Sequence, residues 1–555
     1  MKKHIFISTV AAISLLNVSC DDFLSTVPYD ALSPETTWKT EADAEKFLIG
    51  CYSGWMSDGT ALYADCGSDI GYNNFAWDGW KFIGNGTLSA GNDDISDFYN
   101  FNTIRNCNDF LTHIEQVPFS NEDDKNDMIG QVKTMRAWQY FEKAWYYGGV
   151  PIIDSYETAA EAQVPRNSEE EVKNFIFKEL DEAIPMLKKD FKIETGTINR
   201  AVALAIKMRA ALYYEDYARA KQAAVDIMNM DLYDLEPSEP NTASGYQKLF
   251  LIEGQSSNEI ILSIAHDQVQ LSNGYIATMY NNADGGWSSM VPTQNLVDMY
   301  EMDNGLTKEE AGSDYDPTHP FANRDPRMTA TILYPGQNWS NLEGEPVIIN
   351  TLDKTIDGSA NPNDPSGPDN ASKTGLTWAK YLGDGPTYYA DMWNANANTI
   401  IFRYAEVLLS FAEAKNELEE TPQDSVYAAL NKIRTRAGMP EVDRGKYSTK
   451  ESLRELIRRE RTVELAGEGF RRADILRWKD ANGKMLAETV MNGPLERITG
   501  TVNNNEADPE MRATVSGREK VEDRVFKPHF RYLPIPQKYR DTNPNLDQNE
   551  GSIVR

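Results

Sequence analysis

Apolar residues recur at helical spacing through much of the chain. In 41–55, Ala44, Phe47, Leu48, Cys51 and Tyr52 fall on one face. Over 128–147 apolar positions repeat at intervals of three and four, up to Gly148 and Gly149, where a helix end is expected. The 168–187 stretch opens with Ser168 and, three residues on, Glu171, which is the capping-box pattern. Helices are predicted over 199–214 and 217–230 with almost no loop between them. A second tight pair covers 402–418 and 424–437, and 448–478 reads as helix broken near Gly467 and Gly469.

Two stretches break this rhythm. From 58 to 97, Gly, Asn and Asp alternate with aromatics, which reads as loop and short strand. From 231 to 399 the chain is rich in Gly, Pro, Asn and aromatic residues, with 260–264 as a buried strand and 361–370 as an exposed loop. A structureless loop of that length is implausible, so a second, irregular lobe is expected. Ala210, Leu212, Tyr213, Tyr217, Ala220, Ala224 and Ile227 suit the close helix contact of tetratricopeptide-like hairpins, without a regular period. The fold class is mainly α: tetratricopeptide-like helical hairpins with an irregular, loop-rich lobe. Its parts are a helical part over 41–230, an insert over 231–399, and a helical part with a C-terminal strap over 400–555.

The amino terminus changes the picture of where this body resides. Lys2 and Lys3 precede an apolar run over 5–16, the length of a signal-peptide core and too short to span a bilayer. Ser19-Cys20 then resembles a lipoprotein cleavage site, although the usual leucine is displaced by one place to Leu16. On this reading 1–19 is a signal peptide, Cys20 is lipidated, and 20–40 is an extended strap. Cys51, Cys66 and Cys107 remain; they read as buried free thiols, with one bridge as the alternative. The formal net charge of −30 argues against nucleic acid as a partner.

Candidate chemistry lies in the aromatic loops. Sugars present polar edges and a flat C–H face, so their sites combine aromatic platforms with amide, carboxylate or guanidinium groups. Asp69, Tyr72, Asn73, Trp77 and Trp80 stand together in 65–81, beside Asn74. Tyr280 and Trp287 stand in 280–288 with Asn281, Asn282 and Asp284. Tyr388, with Tyr389 and Trp393, is a third candidate. Most of the 27 Tyr, 20 Phe and 11 Trp must instead serve packing. An enzyme is the competing class, but among 85 acidic residues no catalytic pair stands out, and there is no nucleophile elbow, phosphate loop or zinc-protease motif. Five scattered histidines and Asp-rich loops without EF-hand spacing leave no expected metal or cofactor. A helical repeat that binds peptide is a further alternative.

Five segments in order resemble one family: QVKTMRAWQYFEKAWYYGGVPII from Gln131, RYAEVLLSFAEAKNEL from Arg403, LNKIRTRAGM from Leu430, RRERTVELAGEGFRRADILRW from Arg458 and YLPIPQKYRDTNPNLDQNEG from Tyr532. Behind the SCDDFL start, they are similar to the SusD/RagB outer-membrane lipoproteins of Bacteroidetes. That resemblance implies a surface lipoprotein that captures oligosaccharide or polysaccharide without chemistry and delivers it to a SusC-like TonB-dependent transporter. It also implies that Asp21 and Asp22 act as a surface-export signal. The motifs themselves read as scaffold. Glu455–Arg459 and Arg461–Glu464 are spaced as helical ion pairs, and Glu468 and Asp474 lie near Arg471, Arg472 and Arg477 in an expected ion network that locks helices together.

Overall fold

The computed structural model describes residues 37–92, 96–155, 158, 160–189, 196–383 and 391–552. Cys20, Asp21, Asp22, Tyr388 and Tyr389 lie outside the described residues. Helices dominate: α1 (Glu41–Tyr52), α2 (Asn102–His113), α3 (Glu122–Tyr147), α4 (Glu169–Met186), α5 (Arg200–Tyr213), α6 (Tyr217–Met228), α7 (Tyr404–Leu418), α8 (Asp424–Arg436), α9 (Lys450–Glu464) and α10 (Arg471–Arg477). They pack as consecutive hairpins: α3 on α4, α5 on α6, α6 on α7, and α7 on both α8 and α9. The alanines make this close stacking feasible. Ala201, Ala203, Ala205, Ala210 and Ala211 of α5 are buried, as are Ala220, Ala223 and Ala224 of α6.

The caps follow the sequence pattern. Ser168 and Glu171 form the reciprocal capping box of α4, and the Asn199 side chain accepts the Val202 N–H at the start of α5. α3 starts six residues before its apolar periodicity does. Glu122, Asp123 and Asp124 occupy that first turn, where carboxylates favour the positive helix end, so polarity there marks a helix start.

Between the hairpins, short helices alternate with strands that pair, among the described residues, as two-stranded ribbons. β1 (Gly71–Asn73) pairs with β3 (Met290–Pro292), and β2 (Ile260–Ile264) pairs with β4 (Thr399–Arg403). β5 (Gly493–Val502) and β6 (Ala513–Arg524) form a long hairpin in a part of the chain expected to be helix and strap. The 58–97 stretch holds more helix than expected, in Asp58–Tyr63 and Trp80–Asn85. The 361–370 loop is exposed only in part: Asn361 and Asn363 turn inward. The strap after Tyr532 packs back on the helices. Leu533 and Ile535 are buried, and the Leu533 N–H donates to the Tyr146 carbonyl.

The ion network is buried and extends beyond the segment that suggested it. Arg403, at the end of β4, reaches Glu259, Glu464 and Glu468 at 2.7–2.8 Å. Arg327 joins Asp325, Glu460 and Glu464, and Arg477 joins Glu413 and Asp474. Two expected helical pairs are replaced by tertiary ones. Arg459 meets Glu301 at 2.8 Å, and Arg461 crosses the glycine break to Asp474 at 2.8 Å, because both guanidiniums turn inward to carboxylates on other segments. Glu455 meets Arg458 instead. Cys51, Cys66 and Cys107 are free and buried.

Candidate functional site

The β1–β3 ribbon builds the site. Asn73 lies opposite Met290, and just beyond it the Asn74 N–H donates to the Ser289 carbonyl at 2.7 Å. Two connecting segments therefore leave the same end of the ribbon. One leads through Phe75 to Trp77, the other back from Ser289 to Trp287. Trp77 stacks on Phe75 at 4.2 Å and 13°, which fixes an otherwise free ring. Gly79 follows with φ of 78°, a left-handed turn that sends the chain into the 80–85 helix. Trp287 is set by an equally tight turn. A Cβ on Gly286 would lie 2.3 Å from the Tyr280 carbonyl oxygen, so only glycine lets the chain fold back here.

Trp393 meets Trp287 edge to face, with ring centres 4.9 Å apart at 69°. It sits in the short turn Met392–Asn394, whose Asp391 carboxylate accepts the Trp393 N–H at 2.9 Å. Tyr275 opens the helix Tyr275–Met279, which packs against both β3 and that turn. Exposure is 58 % for Trp77, 37 % for Tyr275, 37 % for Trp287 and 41 % for Trp393, and these four are the exposed aromatic side chains among the described residues. The Trp77 and Trp287 segments leave the ribbon end together, and the Tyr275 helix and the Trp393 turn pack on the Trp287 side of it. Lys81 and Asp78 border Trp77, and Asp391 and Asn394 flank Trp393, so hydrogen-bonding groups stand beside the rings.

Burial corrects the expectation for five candidate residues. Asp69 is 1 % exposed and forms a two-point pair with Arg471 at 2.8 Å, locking the amino-terminal loop to α10. Tyr72 packs on Val291 and Leu495, with Lys81 Nζ 3.2 Å from its hydroxyl. The Asn73 amide donates to Asp78 and to the Ser289 carbonyl, and its oxygen accepts the Lys81 N–H. Trp80 lies in the core against Phe98 and Tyr146. Tyr280 is fully buried, and its hydroxyl donates to the Gly383 carbonyl. Asp69, Tyr72, Asn73 and Tyr280 spend their polar atoms on partners within the protein, as interior groups do. Their role here is to hold the face, while Trp77 and Trp287 present it.

Sequence reasoning passed over Tyr275. The polar residues around it gave no sign that it would join the tryptophans. Asp284 is also structural: it accepts from the Trp339 indole at 2.9 Å and from the Asn281 amide at 2.7 Å, while burial raises its carboxyl above the usual carboxylate range. A separate cavity of about 80 Å³ lies between α3, α5 and α10, walled by Trp138, Trp145, Tyr213 and Phe470. Burial raises the Glu142 carboxyl there to about 7. Among the described residues no three His, Cys, Asp or Glu side chains converge as metal ligands, and no helix is long and apolar enough to cross a membrane.

Rigid aromatic faces flanked by polar groups can stack on flat C–H surfaces and bind hydroxyls at their edges, without bond-making chemistry. Solved structures of similar proteins share its architecture. Residues 258–551 match the family model described as the SusD family, and residues 22–212 match one described as starch-binding, associating with outer membrane. The SusD-like protein P38 of Formosa agariphila is 24 % identical over 90 % of this chain and 94 % of its own. A SusD-like carbohydrate-binding protein from Bacteroides fragilis superposes with a TM-score of 0.78 at 28 % identity, covering 92 % of this chain and 100 % of that one. A second SusD-like protein from the same species gives 0.77 at 25 % identity, over 93 % and 98 % of the two chains. With one model spanning more than half of the sequence and the helical hairpins superposing along nearly all of it, the chain belongs to the SusD family.

Proposed function

We propose that this protein binds glycan on the face formed by Trp77, Tyr275, Trp287 and Trp393, and performs no chemistry on it. The observation that carries the reading is the gathering of the exposed aromatic side chains at one end of one ribbon, on rings fixed by stacking and tight turns. Preorganised rings lose little entropy on binding, which suits capture of a flexible chain. The carbohydrate-binding relative from Bacteroides fragilis and the starch-binding family description support the same ligand class. Affinity electrophoresis of the mature protein through a panel of polysaccharide gels tests it. Retardation by at least one glycan, with no release of reducing ends, is the expected result. Release of reducing ends by the pure protein would overturn the non-catalytic reading.

The same proposal places the protein on the outer membrane at the cell surface, anchored through lipid on Cys20, where it delivers bound oligosaccharide to a SusC-like TonB-dependent transporter. The short apolar run before Cys20 supports the anchor. Cys20→Ser is expected to move the protein from the membrane to the soluble fraction, measured by immunoblot after fractionation. Unchanged membrane association would exclude the lipid on Cys20 as the anchor.

A further inference from the structure

Beside the aromatic face, a histidine holds two oxygen atoms that can only accept hydrogen bonds. His266 Nδ1 lies 2.9 Å from the Leu271 carbonyl, and Nε2 lies 2.9 Å from an Asp58 carboxylate oxygen. A neutral imidazole has one N–H and one lone pair, so it can satisfy one of these partners and must turn a lone pair towards the other. The imidazolium satisfies both. The ring is enclosed, with its side chain 5 % exposed and that of Asp58 15 % exposed.

The two partners belong to different segments. Asp58 opens the helix Asp58–Tyr63. Leu271 closes a loop whose tip carries Val269 and Leu271, 89 % and 59 % exposed. The loop is knotted on Asp267, whose carboxylate accepts the N–H groups of Val269 and Gln270 and whose own N–H donates to Leu271. It is therefore a preformed unit, and His266 fastens that unit to the helix.

Both fastened segments touch the aromatic face. Gly59 lies against Tyr275, where a Cβ would come within 2.7 Å of the phenol oxygen. The loop runs into Asn273, which donates to the Ala395 carbonyl two residues after Trp393 and accepts the Tyr275 N–H. Tyr275 is thus held between the 58–63 helix and the end of the loop.

We propose that His266 is a pH-sensitive latch beside the ligand face: protonated, it ties the 267–271 loop to the Asp58 helix, and loss of its proton opens that tie. The effect on ligand rests on the glycan-binding reading; the latch itself does not. The charges acting on the ring are those of Asp58 across the loop and Asp267 next to it. Tyr275 and Tyr381 feel the Asp58 charge, and burial raises both phenols, so they stay neutral as the histidine titrates. Burial opposes the charge on His266, but the bonds to Asp58 and the Leu271 carbonyl outweigh it and raise the ring above its ordinary 6.5. With the folded value above the unfolded one, the latch contributes fully below pH 6.5 and is lost as pH rises through the folded value.

Histidine-ring NMR of the mature protein, in which the signal absent from His266→Gln identifies the residue, tests the latch directly. His266 should titrate above 6.5, Asp58→Asn should lower its midpoint, and backbone hydrogen exchange over 267–272, corrected for intrinsic rates, should quicken above that midpoint. A midpoint below 6.5, or one that Asp58→Asn leaves in place, would overturn the latch whether or not glycan binds. Affinity for the glycan found by electrophoresis is then compared at about pH 6 and about pH 8.5, where we expect it to fall at least about threefold in the wild type and to be level in His266→Gln. Level affinity in both, beside a titrating latch, would overturn the coupling to the site. Absence of binding at either pH, beside a titrating latch, would overturn the glycan reading and leave the latch standing.

Discussion

Trp287→Ala is expected to weaken glycan binding by about 2 kcal/mol, roughly thirtyfold in Kd, and to leave the melting temperature nearly unchanged. The ring is more than one-third exposed, and its edge contact with Trp393 is a pair within the face and not part of the core. Truncating it removes a platform and also frees Trp393 to reorient, so the loss exceeds that of one stacking contact. Trp80→Ala should do the reverse. Trp80 is 3 % exposed among Phe98 and Tyr146, and its removal leaves a cavity whose effect of about 3–5 kcal/mol falls on stability. Isothermal titration calorimetry beside thermal melts of the two variants separates these roles. If Trp287→Ala bound normally and melted early, the ring would belong to the scaffold.

Arg403→Ala is expected to destabilise the fold by about 3–5 kcal/mol, and with it the whole helical stack. Its guanidinium is 1 % exposed and lies among Glu259, Glu464 and Glu468, so truncation strands buried carboxylates that no solvent reaches. Lys380 and Arg436 partly compensate, since they also contact these groups. The network makes stability pH-dependent with a definite sign. Burial pushes the carboxyls of Glu413, Glu460, Glu464 and Glu468 up, but their arginine and lysine partners pull them below the ordinary 4.5, Glu413 to about 2. Folded carboxyls that titrate below their unfolded value bind fewer protons, so stability is retained above pH 4.5 and lost as the pH falls towards 2. Urea unfolding of wild type and Arg403→Ala near neutral pH checks the first claim, and the acid midpoint of the wild type checks the second. Equal urea midpoints would show that the remaining cations suffice.

The helices were legible because burial leaves a period. α5 and α6 show small and aromatic residues on contacting faces, and the box at Ser168 and Glu171 marks a real helix start. The β5–β6 hairpin escaped notice for the opposite reason. Most of its side chains are exposed or half-buried, so alternation never develops, and Leu495 and Ile498 are isolated buried positions in polar strands. The candidate site shows the same limit. The two aromatic stretches were visible, and they converge on one ribbon. Which ring within each stretch stays outside depends on distant partners. Trp77 and Trp80 are three residues apart, yet Phe98 and Tyr146 draw only Trp80 inward. Asp69 looked available until Arg471, far along the chain, met it. Arg459 and Arg461 likewise chose tertiary carboxylates over near neighbours on their own helix.

Hydroxyl-radical footprinting of the mature protein, with and without the polysaccharide that retards it in gels, reads out which rings the glycan covers. Protection is expected to concentrate at Trp77, Tyr275, Trp287 and Trp393, with little change at exposed Met511, between the strands of the β5–β6 hairpin, and Val525, just after it. Protection that bypasses these four rings and falls on another surface, while the glycan remains bound, would contradict the proposed binding face.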